Sequence, residues 1–161
     1  MKLIRSFAVA ALVLGVAGVA SAQTATQNVT ISVTDVNTIS VSADPAALSA
    51  AAGGADATDA TTTYSVTTNS TTAKKITGFI SSAMPTGTTL SVNLADPDGA
   101  GTAASAGAVS LTATTSGTAQ DLVTGITQLA ATGKQISYTL HADVTAAAAT
   151  NLSRTVTFTI Q

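Results

Sequence analysis

Two places in the sequence bring titratable residues close enough together for chemistry. His141 is the single histidine, and Asp143 follows two residues later, on the same side of an extended strand. Nucleophilic catalysis needs a base that is held near a nucleophile and oriented by a third group. Ser and Thr occur throughout the chain, so their presence identifies no nucleophile. We therefore interpret His141 as an exposed surface residue and predict a protein with no catalytic residues and no cofactor.

The second place is the loop DPDGAG, residues 96–101. Calcium takes six to eight oxygen ligands, and alternating Asp residues before a sharp Gly turn can supply some of them. An EF-hand loop would also need a third acidic or amide ligand and a distal glutamate, and both are missing. Asp-Pro-Asp-Gly is equally a favourable β-turn. Asp96 and Asp98 are thus weak candidates for calcium ligands, and Asp56 with Asp59 are weaker ones.

Aromatic side chains are few, which limits carbohydrate binding through exposed rings. Tyr64, Tyr138 and Phe158 fall in register with aliphatic neighbours, so we predict that they belong to the core. Phe79 lies on the opposite side of its strand from Ile76, where it either covers the other face or is exposed.

The first residues have the organisation of a secretory signal peptide. Lys2 and Arg5 precede an apolar run over residues 7–19, and the small residues Ala20, Ser21 and Ala22 form a cleavage site. The alternative, a membrane anchor, needs about 20 apolar residues. We predict a signal peptide over residues 1–22 and a mature domain over 23–161. The protein is then secreted by a bacterium to the periplasm, the exterior or the cell surface, without stable membrane insertion.

The composition of the mature chain excludes some partners and favours β-structure. Lys74, Lys75, Lys134 and Arg154 stand against eight Asp and no Glu, for a net charge of −4. A nucleic-acid partner would require a basic surface, so none is expected. The helix-favouring residues Glu, Lys and Arg are scarce, whereas Thr and Val suit pleated sheets.

Period-two alternation recurs along the mature chain and marks the strands. The apolar positions predicted to point inward are Tyr64, Val66, Ile76, Ile80, Leu90, Val92, Leu94, Val109, Leu111, Ile136, Tyr138, Leu140, Val156, Phe158 and Ile160. The segment 119–126 is interpreted as a short strand or an irregular crossing. Near the N-terminus, Val29, Ile31 and Val33 predict a strand over residues 28–34, a kink follows at 35–37, and Ile39 and Val41 continue as a second strand.

Between these strands, residues 43–60 predict a loop, within which 46–52 form either a helical turn or an irregular segment. Eight or nine short strands separated by turns predict an all-β fold, an antiparallel β-sandwich of the immunoglobulin-like, Greek-key type. The strand over residues 155–160 should pair in the interior of a sheet or beside the first strand and bury Phe158.

The run YSVTTNSTTAKKITGFISSAMPTGTTLSVNL, the later AQDLVTGI and the final RTVTFTI resemble uncharacterised secreted bacterial β-sandwich proteins. Their layout is similar to that of pilin-like, fibre-forming surface subunits. Pilins assembled through a chaperone and usher commonly carry a disulfide, and this chain has no cysteine. The resemblance implies a structural or adhesive subunit that assembles with itself or with other surface proteins by edge-strand exchange. The alternative is a secreted ligand-binding or accessory module for polysaccharide or calcium.

Overall fold

A computed structural model describes residues 23–98, 102–112 and 119–161 of the chain. The predicted signal peptide over residues 1–22 lies outside these ranges. The chain divides into an N-terminal unit, Met1–Ser32, and a compact unit, Val33–Gln161. No helix occurs in the described ranges, and every strand pairing is antiparallel. The predicted all-β class is therefore confirmed for the described residues, and nowhere in them is there a helix able to cross a membrane.

Nine strands form two sheets in the described part of the chain. Their bounds are β1 Asn37–Val41, β2 Ala57–Thr68, β3 Lys74–Ile80, β4 Thr88–Leu94, β5 Ala104–Ser105, β6 Val109–Ser110, β7 Gln120–Ile126, β8 Leu129–Ala142 and β9 Val156–Ile160. The first sheet has the order β1-β2-β8-β4-β6, and the second has the order β5-β7-β3-β9. The two longest strands, β2 and β8, pair at the middle of the first sheet.

One hydrophobic cluster takes side chains from both sheets. Its buried members are Tyr64, Val66, Ile76, Ile80, Val92, Leu94, Ala103, Leu111, Leu122, Val123, Ile126, Ala131, Ile136 and Tyr138. Most of them occupy the alternating positions that the sequence predicts to face inward. Leu90 and Phe79 are half-buried. Burial of this apolar surface is the main favourable term in folding, at roughly 25 cal/mol per Å².

A glycine allows the second sheet to pack closely at its centre. A Cβ added to Gly78 of β3 would lie 2.6 Å from the Leu122 side chain and 3.5 Å from the Phe158 ring. Real Cβ atoms essentially never approach other atoms as closely as 2.6 Å. The absence of a side chain at Gly78 therefore lets the neighbouring strands β7 and β9 place their apolar residues over β3.

The prediction of a strand over residues 28–34 is wrong. Val29, Ile31 and Val33 belong to no strand, and their exposed fractions are 74%, 81% and 82%. Of the two predicted strands, only the second forms, as β1. A hydrogen bond from Asn69 Nδ2 to the Thr34 carbonyl holds the backbone just before it. Alternation specifies two faces for a strand but does not provide the partner whose backbone it needs.

Two other predictions need correction. Of the two alternatives for residues 46–52, the irregular segment is found and the helical turn is not, and the loop predicted over 43–60 ends early because β2 begins at Ala57. The strand β9 lies at the edge of its sheet, paired with β3 alone, and not in the interior. Phe158 is consequently half-buried instead of fully buried.

Candidate functional site

The two aspartates proposed as weak calcium ligands hold the backbone of the connection that follows β4. Asp96 Oδ1 accepts a hydrogen bond from the Ser105 backbone N–H. Asp98 Oδ2 accepts one from the Ala103 N–H at 2.9 Å. Both carboxylates thus satisfy N–H groups of the chain that leads into β5, as Asp side chains commonly do in turns. Residues 99–101 of the predicted loop lie outside the described ranges.

One oxygen of this loop has no hydrogen-bond partner among the described residues. Asp98 Oδ1 is buried from solvent, whereas its other carboxylate oxygen is bonded to Ala103. A calcium ion would need several more oxygen ligands than this pair provides. Across residues 23–98, 102–112 and 119–161, no three His, Cys, Asp or Glu side chains cluster in a way that could hold a metal ion. The geometry explains these acids as supports of the loop.

A buried tyrosine fastens this acidic loop to the core. Tyr64 is 1% exposed, and its hydroxyl donates to the Ala95 carbonyl at 2.5 Å. Burial raises the pKa of the Tyr64 phenol well above its usual range, and the negative charges of Asp96 and Asp98 add to this effect. The neutral phenol is therefore the form that the fold requires.

Tyr138 is the second buried phenol, on the neighbouring strand β8. Burial raises the pKa of Tyr138 to about 12, with smaller contributions from Asp44 and Asp59. Both tyrosines lie in the core, as predicted, so neither provides an exposed ring for a sugar.

His141 and Asp143 do not form a catalytic pair. His141 Nδ1 lies 2.7 Å from Asp56 Oδ1, and both side chains are about half exposed, at 53% and 48%. Asp143 instead accepts hydrogen bonds from the Thr145 hydroxyl and backbone N–H, which hold the pKa of Asp143 below its usual value. The predicted exposure of His141 is confirmed. Its partner Asp56 is 85 residues away, and nothing in the sequence indicated that these two residues would pair.

The edge strand β9 has an unpaired side. Lys75 and Gln161 exchange both backbone hydrogen bonds, at 2.9 and 3.0 Å. Because hydrogen-bonded pairs alternate with non-bonded pairs in an antiparallel ladder, every second residue of β9 directs its backbone groups away from β3. Those residues are Val156, Phe158 and Ile160.

The strand β1 is the corresponding edge of the other sheet. Ser42 N–H donates to the Thr63 carbonyl, so by the same alternation the backbone groups of Ile39 and Val41 face away from β2. A cleft of about 240 Å³ opens between β1 and β9, lined by residues 39–41 and 156–158. We call the two edges and this cleft the open seam. It is smaller than the roughly 300–1,000 Å³ of small-molecule sites, but it suits side chains.

A larger groove lies at one end of the hydrophobic core. Its volume is about 730 Å³, within the range of small-molecule sites. Residues of β4 and β8 form its floor, residues 47–52 form one wall, and residues 146–152 form the other. Arg154 is the charged residue of its lining. We call this space the alanine groove, because most of its wall residues are alanines.

Sequence reasoning missed both the open seam and the alanine groove. The seam joins strands more than a hundred residues apart, and the groove joins two alanine-rich segments about as distant. The only hint of the alanine groove in the sequence is that the alanine-rich runs 46–52 and 146–149 have side chains mostly too small to fill a core.

Comparisons with protein-family models, with curated proteins and with solved structures find no match to this chain.

Proposed function

We propose that this protein is a secreted, non-catalytic structural or adhesive surface subunit whose copies assemble by edge-strand exchange. In this proposal the signal peptide over residues 1–22 is removed on export from a bacterial cell, and the two sheets form an immunoglobulin-like, Greek-key β-sandwich. The resemblance of the sequence layout to that of pilin-like, fibre-forming subunits supports the proposal.

The observation that carries the proposal is an alternating apolar segment that belongs to no strand among the described residues. Val29, Ile31 and Val33 alternate with polar residues and are 74–82% exposed. We call residues 28–34 the N-terminal arm. An exposed segment of this pattern can gain both backbone bonds and apolar burial by adding to the edge of another copy. Fully burying one such side chain contributes about 1.5–3 kcal/mol, so three provide a substantial driving force.

The open seam supplies a matching surface. Its β9 edge directs the backbone groups of three apolar residues outward, and its cleft is lined in part by Ile39 and Phe158. The other sheet edges in the described ranges are β5 and β6, which have two residues each. The seam strands β1 and β9 have five residues each, so they are longer than the edge strand on the opposite side of each sheet and can pair with an added strand.

Size-exclusion chromatography and negative-stain microscopy of the mature protein, residues 23–161, test the proposal. We expect oligomers or filaments from the mature protein and monomers after deletion of residues 23–34. A triple variant, Val29→Ser, Ile31→Ser and Val33→Ser, should also be monomeric with an unchanged circular-dichroism spectrum. The matched control is Thr30→Ala, Ser32→Ala and Thr34→Ala, which alters the opposite face and should still assemble.

Two results would contradict the proposal. One is a mature protein that stays monomeric at high concentration. The other is assembly that persists without residues 23–34.

The alanine groove favours a second candidate function, a secreted ligand-binding module. Its volume suits a small ligand, although the described lining contains no aromatic ring of the kind that binds sugars by stacking. A stable monomer that binds a small molecule would support this second function over the first.

A further inference from the structure

The floor of the alanine groove is an exposed continuation of the hydrophobic core. Leu140 and Ala142 of β8 line it together with Thr88 of β4. Thr88 pairs with Ala142 across the two strands, so these residues form a contiguous surface. Ala142 is 6% exposed and Leu140 is half-buried, and the inward-facing row of β8 therefore continues from the packed core into the groove.

Backbone bonds hold both walls of the groove at their ends. The first wall is fixed where Gly53 N–H donates to the Ala142 carbonyl at 2.9 Å. The second is fixed where Ala146 N–H donates to the Asp143 carbonyl and Thr145 N–H donates to the Asp143 carboxylate. Because these bonds tie both walls to the end of β8, the groove is formed without a ligand, as most small-molecule sites are.

The groove lining is mixed in polarity, with Ser49, Thr88, Thr150 and Asn151 beside its apolar residues. Leu48, Met84 and Leu152 supply the larger side chains, and Leu152 is 53% exposed at the rim. The alanines supply methyl groups that leave space between the walls. The larger side chains and the methyl groups together provide the part of the lining that can bury an aliphatic group.

Arg154 gives the groove a single positive charge. Its Nε and Nη2 donate to the Ala83 carbonyl at 3.1 and 2.9 Å, and Nη1 donates to the Ser153 carbonyl. A guanidinium has five N–H donors. Three are used in these bonds, which leaves two for another acceptor within the described part of the chain. The bonds also fix the position of the guanidinium, so a carboxylate would meet an oriented donor.

We propose that the alanine groove binds a small amphiphile, an aliphatic monocarboxylate whose tail lies on the floor and whose carboxylate pairs with Arg154. The apolar part of the lining accommodates the tail, and the single guanidinium selects one negative charge over the several charges of a polyphosphate. This binding does not depend on assembly through the open seam, since no seam residue lines the groove.

Isothermal titration of the mature protein with octanoate, decanoate and decanol, below micellar concentrations, tests the proposal. Decanoate should bind roughly tenfold more tightly than octanoate, because each buried methylene is worth up to about fourfold in Kd. Ala50→Phe places a ring inside the groove and should weaken binding of all three ligands. The matched control Ala130→Phe, at an exposed alanine of β8 outside the lining, should leave binding unchanged.

The charge is tested separately with Arg154→Gln. It should weaken decanoate binding by roughly tenfold or more and leave decanol within about twofold. Arg154→Lys should restore part of the loss because it retains the charge. Lys134→Gln removes a positive charge elsewhere and should have no effect. Circular dichroism of each variant establishes that it is folded.

Three results would overturn the proposal. They are the absence of decanoate binding at millimolar concentration, binding that Ala50→Phe leaves unchanged, and equal weakening of decanoate and decanol by Arg154→Gln. Each is measured on dilute protein, so it is distinguishable from a failure of assembly.

Discussion

The acidic loop after β4 and the alanine groove use their residues in opposite ways. The loop holds the acids that look most suited to binding an ion, yet Asp96 and Asp98 accept bonds from its own backbone. The groove is built from residues without functional groups, yet it leaves about 730 Å³ open beside one fixed guanidinium. Polar residues that complete a fold have little capacity left for a ligand. In this molecule, unfilled space is therefore the better guide to a binding site.

The comparison between the acidic loop and the groove is tested first with Tyr64→Ala, from which we expect the largest loss of stability. Tyr64 fills the core and donates to Ala95 at the start of the acidic loop. Truncation should lower the free energy of unfolding by about 3–5 kcal/mol, as large-to-small core changes do. Urea denaturation measures the change. Tyr64→Phe, which removes only the hydroxyl, is the control and should cost about 1 kcal/mol. A loss below about 1 kcal/mol for Tyr64→Ala would show that the loop is not anchored through this residue.

Alkaline pH should weaken the fold through the same tyrosines. The pKa of Tyr138 rises from 10.0 to about 12 in the folded protein, so its contribution is fully present below pH 10. It should be lost as pH rises from 10 to 12, at about 1.4 kcal/mol per pH unit. Denaturation of the wild type and of Tyr138→Phe at pH 8, 10 and 11 measures this. Equal slopes for the two proteins would refute the assignment to Tyr138.

A smaller loss is expected from Asp98→Ala. The change leaves the Ala103 N–H without its carboxylate acceptor and should cost about 1–3 kcal/mol. Asp98→Asn retains an acceptor oxygen and should recover part of that cost. Neither variant should alter decanoate binding, because Asp98 does not line the groove. If millimolar calcium raises the melting temperature of the wild type but not of Asp98→Ala, the loop is a metal site after all.

The smallest effect is expected from His141→Ala. Its partner Asp56 is about half exposed, and exposed ion pairs contribute about 0.2–1 kcal/mol. Thermal unfolding of His141→Ala, Asp56→Ala and the double variant gives the pairwise term from a double-mutant cycle. A coupling of several kcal/mol would mean that acids outside the loop also support the fold.

The sequence predicted correctly which side chains of a strand face the core, but it predicted poorly which segments pair as strands. Alternation at Tyr64 and Val66, and again at Ile136 and Tyr138, correctly identified side chains of the core, because burial of one face imposes a period of two. The same alternation in the N-terminal arm predicted a strand that does not form. Backbone pairing requires a neighbour, and the pattern of one segment does not contain that information.

The candidate sites follow the same division. The role of Asp96 and Asp98 in a turn was one of the two alternatives that the sequence predicted, because the preference of Asp for turns is local. The alanine groove was not visible, because its walls and Arg154 meet only after β4 and β8 have paired. Alanine-rich segments have no periodic signal, and the distance between them is set by the whole fold.

The pairing of distant strands also sets how quickly this domain can fold. Thr62 pairs with Ile136, and Ile76 pairs with Ile160, so one ladder in each sheet closes a loop of more than 70 residues. Chain entropy must be lost before such contacts form, and domains dominated by non-local β-pairing fold in milliseconds to seconds rather than microseconds. We expect single-exponential refolding on that slower timescale, which stopped-flow fluorescence of the two tyrosines would measure.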